Sequence, residues 1–491
     1  MICLSWLSLE KDRHLPSVEN TINVSASAAS YIPPTTSGPY PARPGTLVRT
    51  LIDGEETMRR IGEAIEGARH SVWLTVAFYS DDFLLPDGRG PLFDVLDRAV
   101  ALGLDVRLLI WRPNPEAAPS PRTFGGTAQQ CALLARRGSR VKIRWDRAAT
   151  VFCQHQKSWV IDAGQPSETS FVGGLNLTSV AMGRHDVYVE VTGPSAADVR
   201  HNFVERWNEA SERHAPDGNW ACDAADQLPG LDPGRDRASA PRGPSTVQIQ
   251  RMLDPSRYVA NRVERSILEQ YQRAIDAARR TIYIENLAIP MPEVARPLVA
   301  AAERGVDVVL LVPAIPEDYV YAARHDPRGA ARFWGIETLG RHPNFTLAGI
   351  AQPHAGGRRA AYVQAKMMLI DDAWTTIGSC NLHPFSLAGH TEMNASIWDA
   401  DVARDLRCRL FAQHLGVDTR SMDDRAALRL FQEIARSNRG KMERREPDWQ
   451  GLAFALSPET YGLKSGVKAD LTQDRIAQYS NKIWRRAIFL A

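Results

Sequence analysis

The chain carries its own pattern twice. The stretch AIEGARHSVWLTVAF from Ala64 matches AIDAARRTIYIENLA from Ala274, and GLDVRLLI from Gly103 matches GVDVVLLV from Gly305. The first pair reads as the end of an amphipathic helix feeding an apolar, β-branched strand, and the second as a further strand of the same kind. A supersecondary unit repeated at one period cannot bury its apolar faces alone, so the two copies are expected to close on each other. The predicted class is α/β: two halves of alternating helices and strands, with mostly parallel sheets, forming one pseudo-twofold body. Length alone, 491 residues, would allow about three domains of roughly 150 residues each. The repeat replaces that count with a different division. Residues 1–45, rich in Ser, Thr and Pro, are expected to form an N-terminal tail or arm; 46–208 the first half; 209–245, similarly punctuated, a linker; 246–416 the second half; and 417–491 a helical C-terminal cap.

Composition bounds the function. With 44% hydrophobic and 24% charged residues the chain can bury a large core and is not a disordered polymer. Lys+Arg 59 against Asp+Glu 57 leaves a formal net charge of +2. That lacks the global positive field of non-specific nucleic-acid binding, so a nucleic-acid partner is disfavoured. Six cysteines are scattered without a CxxC pair, which fits a reducing compartment and suggests neither a disulfide framework nor a zinc knuckle. The opening MICLSWLSL lacks a basic leader, and no stretch approaches the roughly 20 continuous apolar residues of a transmembrane helix. A cytoplasmic chain is expected, with any membrane contact peripheral.

The chemistry sits late in each repeat. The first half has His155-Gln156-Lys157, then Asp162, FVGGLN ending at Asn176, and His185-Asp186; the second has Gln364-Ala365-Lys366, then Asp371, IGSCN ending at Asn381, and Glu392. In an extended strand residues two apart share a face, so His155 with Lys157, and Gln364 with Lys366, present their polar ends together. Asp162 and Asp371 fall on the opposite parity and are expected to be structural, holding a turn or pairing with a cation behind the site. The small residues Gly173-Gly174 and Gly378-Ser379 end apolar strands, let backbone approach a ligand, and bring Asn176 and Asn381 to one rim. Two lysines and two amides converging from related halves suit a phosphodiester, whose five-coordinate transition state gains negative charge. An imidazole such as His155 can attack phosphorus in line and form a covalent intermediate. No metal or other cofactor is required.

The HxKxxxxD block with GGxN, and the QxKxxxxD block with GSxN and a following carboxylate, resemble the paired motifs of the phospholipase D superfamily. The resemblance runs from about Leu47 to Gly416 and includes NFVERWN after the first motif and LFAQHLG after the second. Within it the chain is similar to two-motif bacterial phospholipase D and cardiolipin-synthase-like proteins. The resemblance implies a duplicated α/β/α sandwich and a metal-independent hydrolase or phosphatidyl transferase acting on phosphodiesters, phospholipids first. It implies His155 as nucleophile, Lys157, Asn176, Lys366 and Asn381 as phosphate ligands, and Glu392 orienting His155 from the other half. By symmetry Asp186 would orient residue 364.

Position 364 departs from that pattern. The family has a second histidine there as general acid, and Gln364 cannot deliver a proton, a loss that typically costs about 10²–10⁴-fold, roughly 3–5 kcal/mol of barrier. A second departure is Phe385-Ser386, where the family tends to have Arg-Ser. His354, His383 and His390 lie near enough in sequence to be substitute acids, and His383 and His390 are the foremost. Two other readings stay open: a lipid- or phosphodiester-binding pseudoenzyme with a degenerate second motif, and a nuclease-like phosphodiesterase.

Overall fold

The computed structural model of the chain describes residues 30–114, 123–148, 152–232, 239–253, 263–355, 357–463 and 471–472. The first 29 residues of the amino-terminal arm, MICLSWLSL among them, and the carboxy-terminal run through Trp484 lie outside the described residues.

Each half builds its sheet from strands in the same order. The first half contains β1 (Arg43–Ile52), α1 (Asp53–Gly67), β2 (Ser71–Val76), α2 (Leu92–Ala101), β3 (Asp105–Trp111), α3 (Ala128–Arg137), β4 (Lys142–Asp146), β5 (Ser158–Ile161), β6 (Thr169–Gly173), β7 (Val187–Thr192), α4 (Ala196–Glu209) and β8 (Asn219–Trp220). The second contains β9 (Ser245–Leu253), α5 (Ser266–Ala277), β10 (Thr281–Asn286), α6 (Pro292–Glu303), β11 (Asp307–Leu311), β12 (Phe345–His354), β13 (Lys366–Ile370), β14 (Trp374–Gly378), β15 (Glu392–Trp398), α7 (Ala400–Leu415), α8 (Asp424–Glu443) and β16 (Ala453–Ala455). Hydrogen bonding orders the first sheet β8-β4-β3-β2-β5-β6-β7-β1. The second is ordered β16-β12-β11-β10-β13-β14-β15-β9, strand for strand the same. Strands β1 and β9 pair antiparallel at Arg43 with Val247 and Thr46 with Ser245, which joins the sheets at equivalent edges.

The α/β class and the duplication hold, but the sheets are mixed rather than mostly parallel. Among the described strands of these two sheets, the β2-β3-β4 and β10-β11-β12 pairings run parallel and the others antiparallel. Parallel neighbours need a long crossover, and helices such as α2 and α6 supply it; the motif strands β5 and β13 are joined to the next strand by short turns, and a short turn makes antiparallel neighbours. Apolar runs of period two reveal a strand but carry no sign of its direction.

Alternation along these strands explains the layers. In β5, Trp159 and Ile161 enter a core confined to the first half while Val160 faces a shared core; in β13, Met368 and Ile370 enter a core of the second half while Met367 and Leu369 face the shared one. The shared core also takes Phe203 of α4, Phe411 of α7 and Phe431 of α8. Residues after α4 lie along the first sheet: Trp207 Nε1 donates to Asp226 O (2.9 Å), and Asp226 pairs with Arg107 (3.0 Å). The described part of the arm lies on the second half, where Ile32 is buried and its carbonyl accepts from Trp398 Nε1 (2.8 Å). No helix among the described residues is long and apolar enough to cross a membrane.

Candidate active site

The motifs are assembled by a reciprocal backbone clasp. Gln154 forms a parallel bridge with Thr391, and His185 forms one with Val363. His155 N donates to Thr391 O (3.0 Å), and Gln364 N donates to His185 O (2.7 Å). Each motif is thus held by the opposite half, and the residue following each clasp, Glu392 or Asp186, is delivered beside the motif of the other half.

On the first-motif side the clasp produces a complete dyad. His155 Nδ1 lies 3.0 Å from both carboxylate oxygens of Glu392, which is fully buried. Glu392 also accepts from Ser379 Oγ and Ser386 Oγ, each at 2.5 Å. A carboxylate surrounded by donors takes the Nδ1 proton as its third, which fixes the tautomer and leaves the Nε2 lone pair facing away. Burial, with the charges of Lys157 and Lys366, holds His155 well below the ordinary histidine range, so the ring is neutral near pH 7. Burial also pushes the Glu392 carboxyl up, against the pull of Lys157.

The lysines occupy equivalent places. Lys157 Nζ donates to His155 O (2.7 Å), and Lys366 Nζ donates to Gln364 O. Both are buried; burial lowers Lys157 to about 7, with the charge of Lys366 adding to it, and lowers Lys366 to about 8. Two ammonium groups buried together are costly unless an anion joins them. Asn176 and Asn381 are buried as well, and the side-chain oxygen of each has no partner. The arrangement is a cationic, amide-lined pocket around a neutral imidazole, chemically suited to hold a phosphate monoanion and attack it.

The second-motif side is built differently. Gln364 Oε1 accepts from Arg184 Nη1 (2.9 Å), whose guanidinium lies 4.1 Å over the Tyr362 ring. Gln364 therefore turns to Arg184 rather than to Asp186. Asp186 Oδ1 accepts from Val187 N (2.8 Å), and its Oδ2 is buried without a partner. His390 lies on the first-motif side, its ring centroid 5.5 Å from that of His155 and 6.0 Å from that of His383. Both are spent on backbone: Cys153 N donates to His390 Nδ1 (3.0 Å) and Ser386 N to His383 Nδ1 (3.2 Å). Burial lowers His383 to about 4 and His390 well below the ordinary range, so neither is protonated near pH 7. His354 is exposed at the end of β12.

Behind the site the two aspartates do one job twice. Asp162 Oδ1 accepts from Arg69 N (2.9 Å) and His70 N (2.8 Å), and Asp371 Oδ1 accepts from Arg280 N and Thr281 N (2.8 and 2.6 Å). Each stands at φ 54 and anchors the chain just before β2 or β10, away from the lysines. Among the described residues, the metal-ligating types that converge are His185, Glu285 and His414. Their atoms are engaged with one another: His185 Nε2 to Glu285 (2.7 Å), His185 Nδ1 to Asp53 (2.7 Å) and His414 Nε2 to Glu285 (2.9 Å). Although burial opposes it, Glu285 and Asp53 hold His185 up at about 10. We read this as an ion-pair network that braces the clasp.

Sequence reasoning missed Arg184 and the donor role of Ser379. Arg184 adjoins the His185-Asp186 pair but carries no motif signature, and Ser379 registered only as a small residue.

A model of the family described as cardiolipin synthase, phospholipase D-like domain, matches residues 271–414. Cardiolipin synthase A of Pseudomonas syringae pv. syringae is 27% identical over 388 residues, covering 76% of this chain and 70% of that protein. Cardiolipin synthase A of Pseudomonas entomophila is 27% identical over 366 residues, 70% of this chain and 64% of its own length. In three dimensions the chain resembles phosphatidylserine synthase from Haemophilus influenzae with a TM-score of 0.50 at 14% identity, over 82% of this chain and 95% of that one. The duplicated sheet, the reciprocal motifs, the family model and the cardiolipin synthase relatives together support membership of the phospholipase D superfamily.

Proposed function

We propose that the protein is a phospholipase D-type enzyme that cleaves or exchanges the headgroup ester of a phospholipid through a phosphohistidine on His155. The observation that carries this reading is the His155–Glu392 dyad beside two buried lysines: a neutral imidazole, its Nδ1 proton fixed, facing an anion site. Lys157, Lys366, Asn176 and Asn381 would hold the non-bridging oxygens. His155 Nε2 would form the P–N bond as the headgroup oxygen leaves, and water or an alcohol would then attack phosphorus and return the electron pair to Nε2. Glu392 would stabilise the imidazolium character that develops in the ring. Cardiolipin synthases and a phosphatidylserine synthase among its relatives support a phosphatidyl transferase rather than a nuclease. The formal net charge of +2 points the same way.

A second reading rests on Gln364: without an acid there, the chain would be a lipid-binding pseudoenzyme. Intact-protein mass spectrometry after exposure to phosphatidylglycerol and other phospholipids separates the two. A phosphatidyl adduct that maps to His155 and disappears in His155→Ala is the expected result, and tight binding without adduct or turnover would establish the pseudoenzyme.

A further inference from the structure

The two clasp carboxylates occupy equivalent positions and differ in every donor. Glu392 receives His155, Ser379 and Ser386. The corresponding positions around Asp186 are Gln364, Gly174 and Ala181, reached through the matched motifs GGLN and GSCN and the short helical turns at Ser179–Gly183 and Pro384–Ala388. An imidazole and two hydroxyls have thus been replaced by an amide turned toward Arg184, a glycine and an alanine. What remains at Asp186 is the backbone bond from Val187 and an oxygen, Oδ2, that is buried and unpartnered. A Cβ on Gly174 would stand 2.9 Å from both Asp186 Oδ1 and Lys366 Cδ, so the missing side chain is what gives the carboxyl its place beside that lysine.

We propose that Asp186 is the general acid of the leaving-group step, taking over directly the role left vacant at Gln364. This rests on the phosphohistidine reading. In the first half-reaction the P–N bond forms at His155 Nε2, the bond to the headgroup oxygen breaks, and that oxygen takes its electron pair and the proton of Asp186 Oδ2. In the second, the incoming water or alcohol gives its proton to the Asp186 carboxylate while the P–N pair returns to His155. In-line displacement needs acid and nucleophile on opposite sides of phosphorus, and Asp186 stands with the second motif while His383 and His390 cluster with His155.

Charge supports the geometry. Burial raises Asp186 to about 6, against the pull of Lys366, His185 and Lys157. Arg184 is the further cation on this side, held on Gln364. A carboxyl without donors favours its protonated form, and an acid poised near the working pH transfers a proton efficiently. The segment is fixed besides: Asp53 N donates to Asp186 O (2.8 Å), and the His185 carbonyl accepts from Gln364 N.

The test compares phosphatidylglycerol, whose alkoxide needs a proton, with phosphatidyl-p-nitrophenol, whose phenolate does not. Read as leaving-group release in a single turnover, before the shared second half-reaction, Asp186→Asn is expected to slow glycerol release from the first by about 10²–10⁴-fold and p-nitrophenol release from the second by less than about tenfold. Asp186→Glu, which keeps a carboxyl, is expected to recover part of the phosphatidylglycerol rate lost in Asp186→Asn and to move the alkaline limb of kcat/KM for that ester. Equal slowing of both esters, no slowing of either, or an unmoved limb in Asp186→Glu would overturn the proposal. A wild-type protein that forms the His155 adduct from the aryl ester but leaves phosphatidylglycerol untouched would also overturn it, while sparing the nucleophile assignment. Reaction with neither ester, and no adduct, would end both readings.

Discussion

The two motif regions share one backbone plan and carry opposite chemistry. Beside His155 the carboxylate is fully engaged: the imidazole Nδ1 meets Glu392, and Glu392 meets two serines. Around Gln364 the amide has been drawn to Arg184, and the carboxylate equivalent to Glu392 keeps one oxygen without a partner. A duplicated scaffold frees each copy from doing both halves of a reaction, because the clasp holds the motifs in place whether or not their side chains match. The difference teaches that the nucleophile side demands a fixed tautomer, whereas the leaving-group side demands only a proton at the right place.

That contrast can be broken most sharply at the dyad. His155→Ala is expected to abolish turnover, on the order of 10⁴–10⁶-fold, while leaving inorganic phosphate able to bind, as judged by kcat and by isothermal titration. Glu392→Gln should cost about 10⁴-fold in kcat with its hydrogen-bonding shape intact, because an amide presents Nδ1 with the wrong partner and cannot stabilise the imidazolium. Comparable losses on alkyl and aryl esters in that variant would mark it as acting through His155, in contrast to the discrimination expected of Asp186→Asn.

Much of this was legible in the chain before the fold. The offset of 209 between His155 and Gln364 placed the motifs at equivalent positions, and the spacing of two between His155 and Lys157 put both on one site. What stayed hidden was contact across the halves. Arg184 and Gln364 are 180 residues apart, and nothing in either local stretch announces the bond between them. Ser379 and Gly174 looked alike as small residues, because size is visible in a sequence and a hydroxyl's partner is not. Strand direction was lost for a similar reason: alternation in β5 and β13 reports burial on both faces, and only the length of the connection distinguishes parallel from antiparallel neighbours.

The lysines give a smaller, pH-dependent effect. In the folded chain Lys157 and Lys366 lie near 7 and 8, below the ordinary lysine value of 10.5. A depressed base means the unfolded chain binds more protons between those values, so stability is lowest below about pH 7 and recovers as pH rises toward 10.5. An anion in the pocket offsets that penalty by favouring the charged forms. Inorganic phosphate should therefore raise Tm more at pH 6.5 than at pH 9, and Lys157→Met or Lys366→Met should remove most of that difference. A phosphate shift that is the same at both pH values would mean that the anion binds elsewhere. In turnover, either lysine variant should weaken KM and kcat together, by contrast with His155→Ala.

The smallest effect belongs where the halves ought to be identical. Asp162 and Asp371 each stand at φ 54, each accept from the backbone just before the strand that pairs with their motif, and each receive a hydroxyl, from Ser167 (2.9 Å) and Tyr31 (2.5 Å) respectively. Asparagine tolerates the left-handed conformation, so Asp162→Asn and Asp371→Asn test the charged acceptor alone. A carboxylate gathering several donors is worth about 1–3 kcal/mol over a neutral acceptor, and the two variants should lose that much in chemical denaturation, to within about 0.5 kcal/mol of each other. Neither should change the ratio of alkyl to aryl ester turnover, since Asp162 and Asp371 follow the ends of β5 and β13 while His155 and Gln364 precede their starts. Unequal stability losses would show that the scaffold has diverged along with the site. A shifted ester ratio in Asp371→Asn alone would show that the second motif depends on its turn in a way the first does not, and the division between a shared frame and two specialised faces would have to be redrawn at β13.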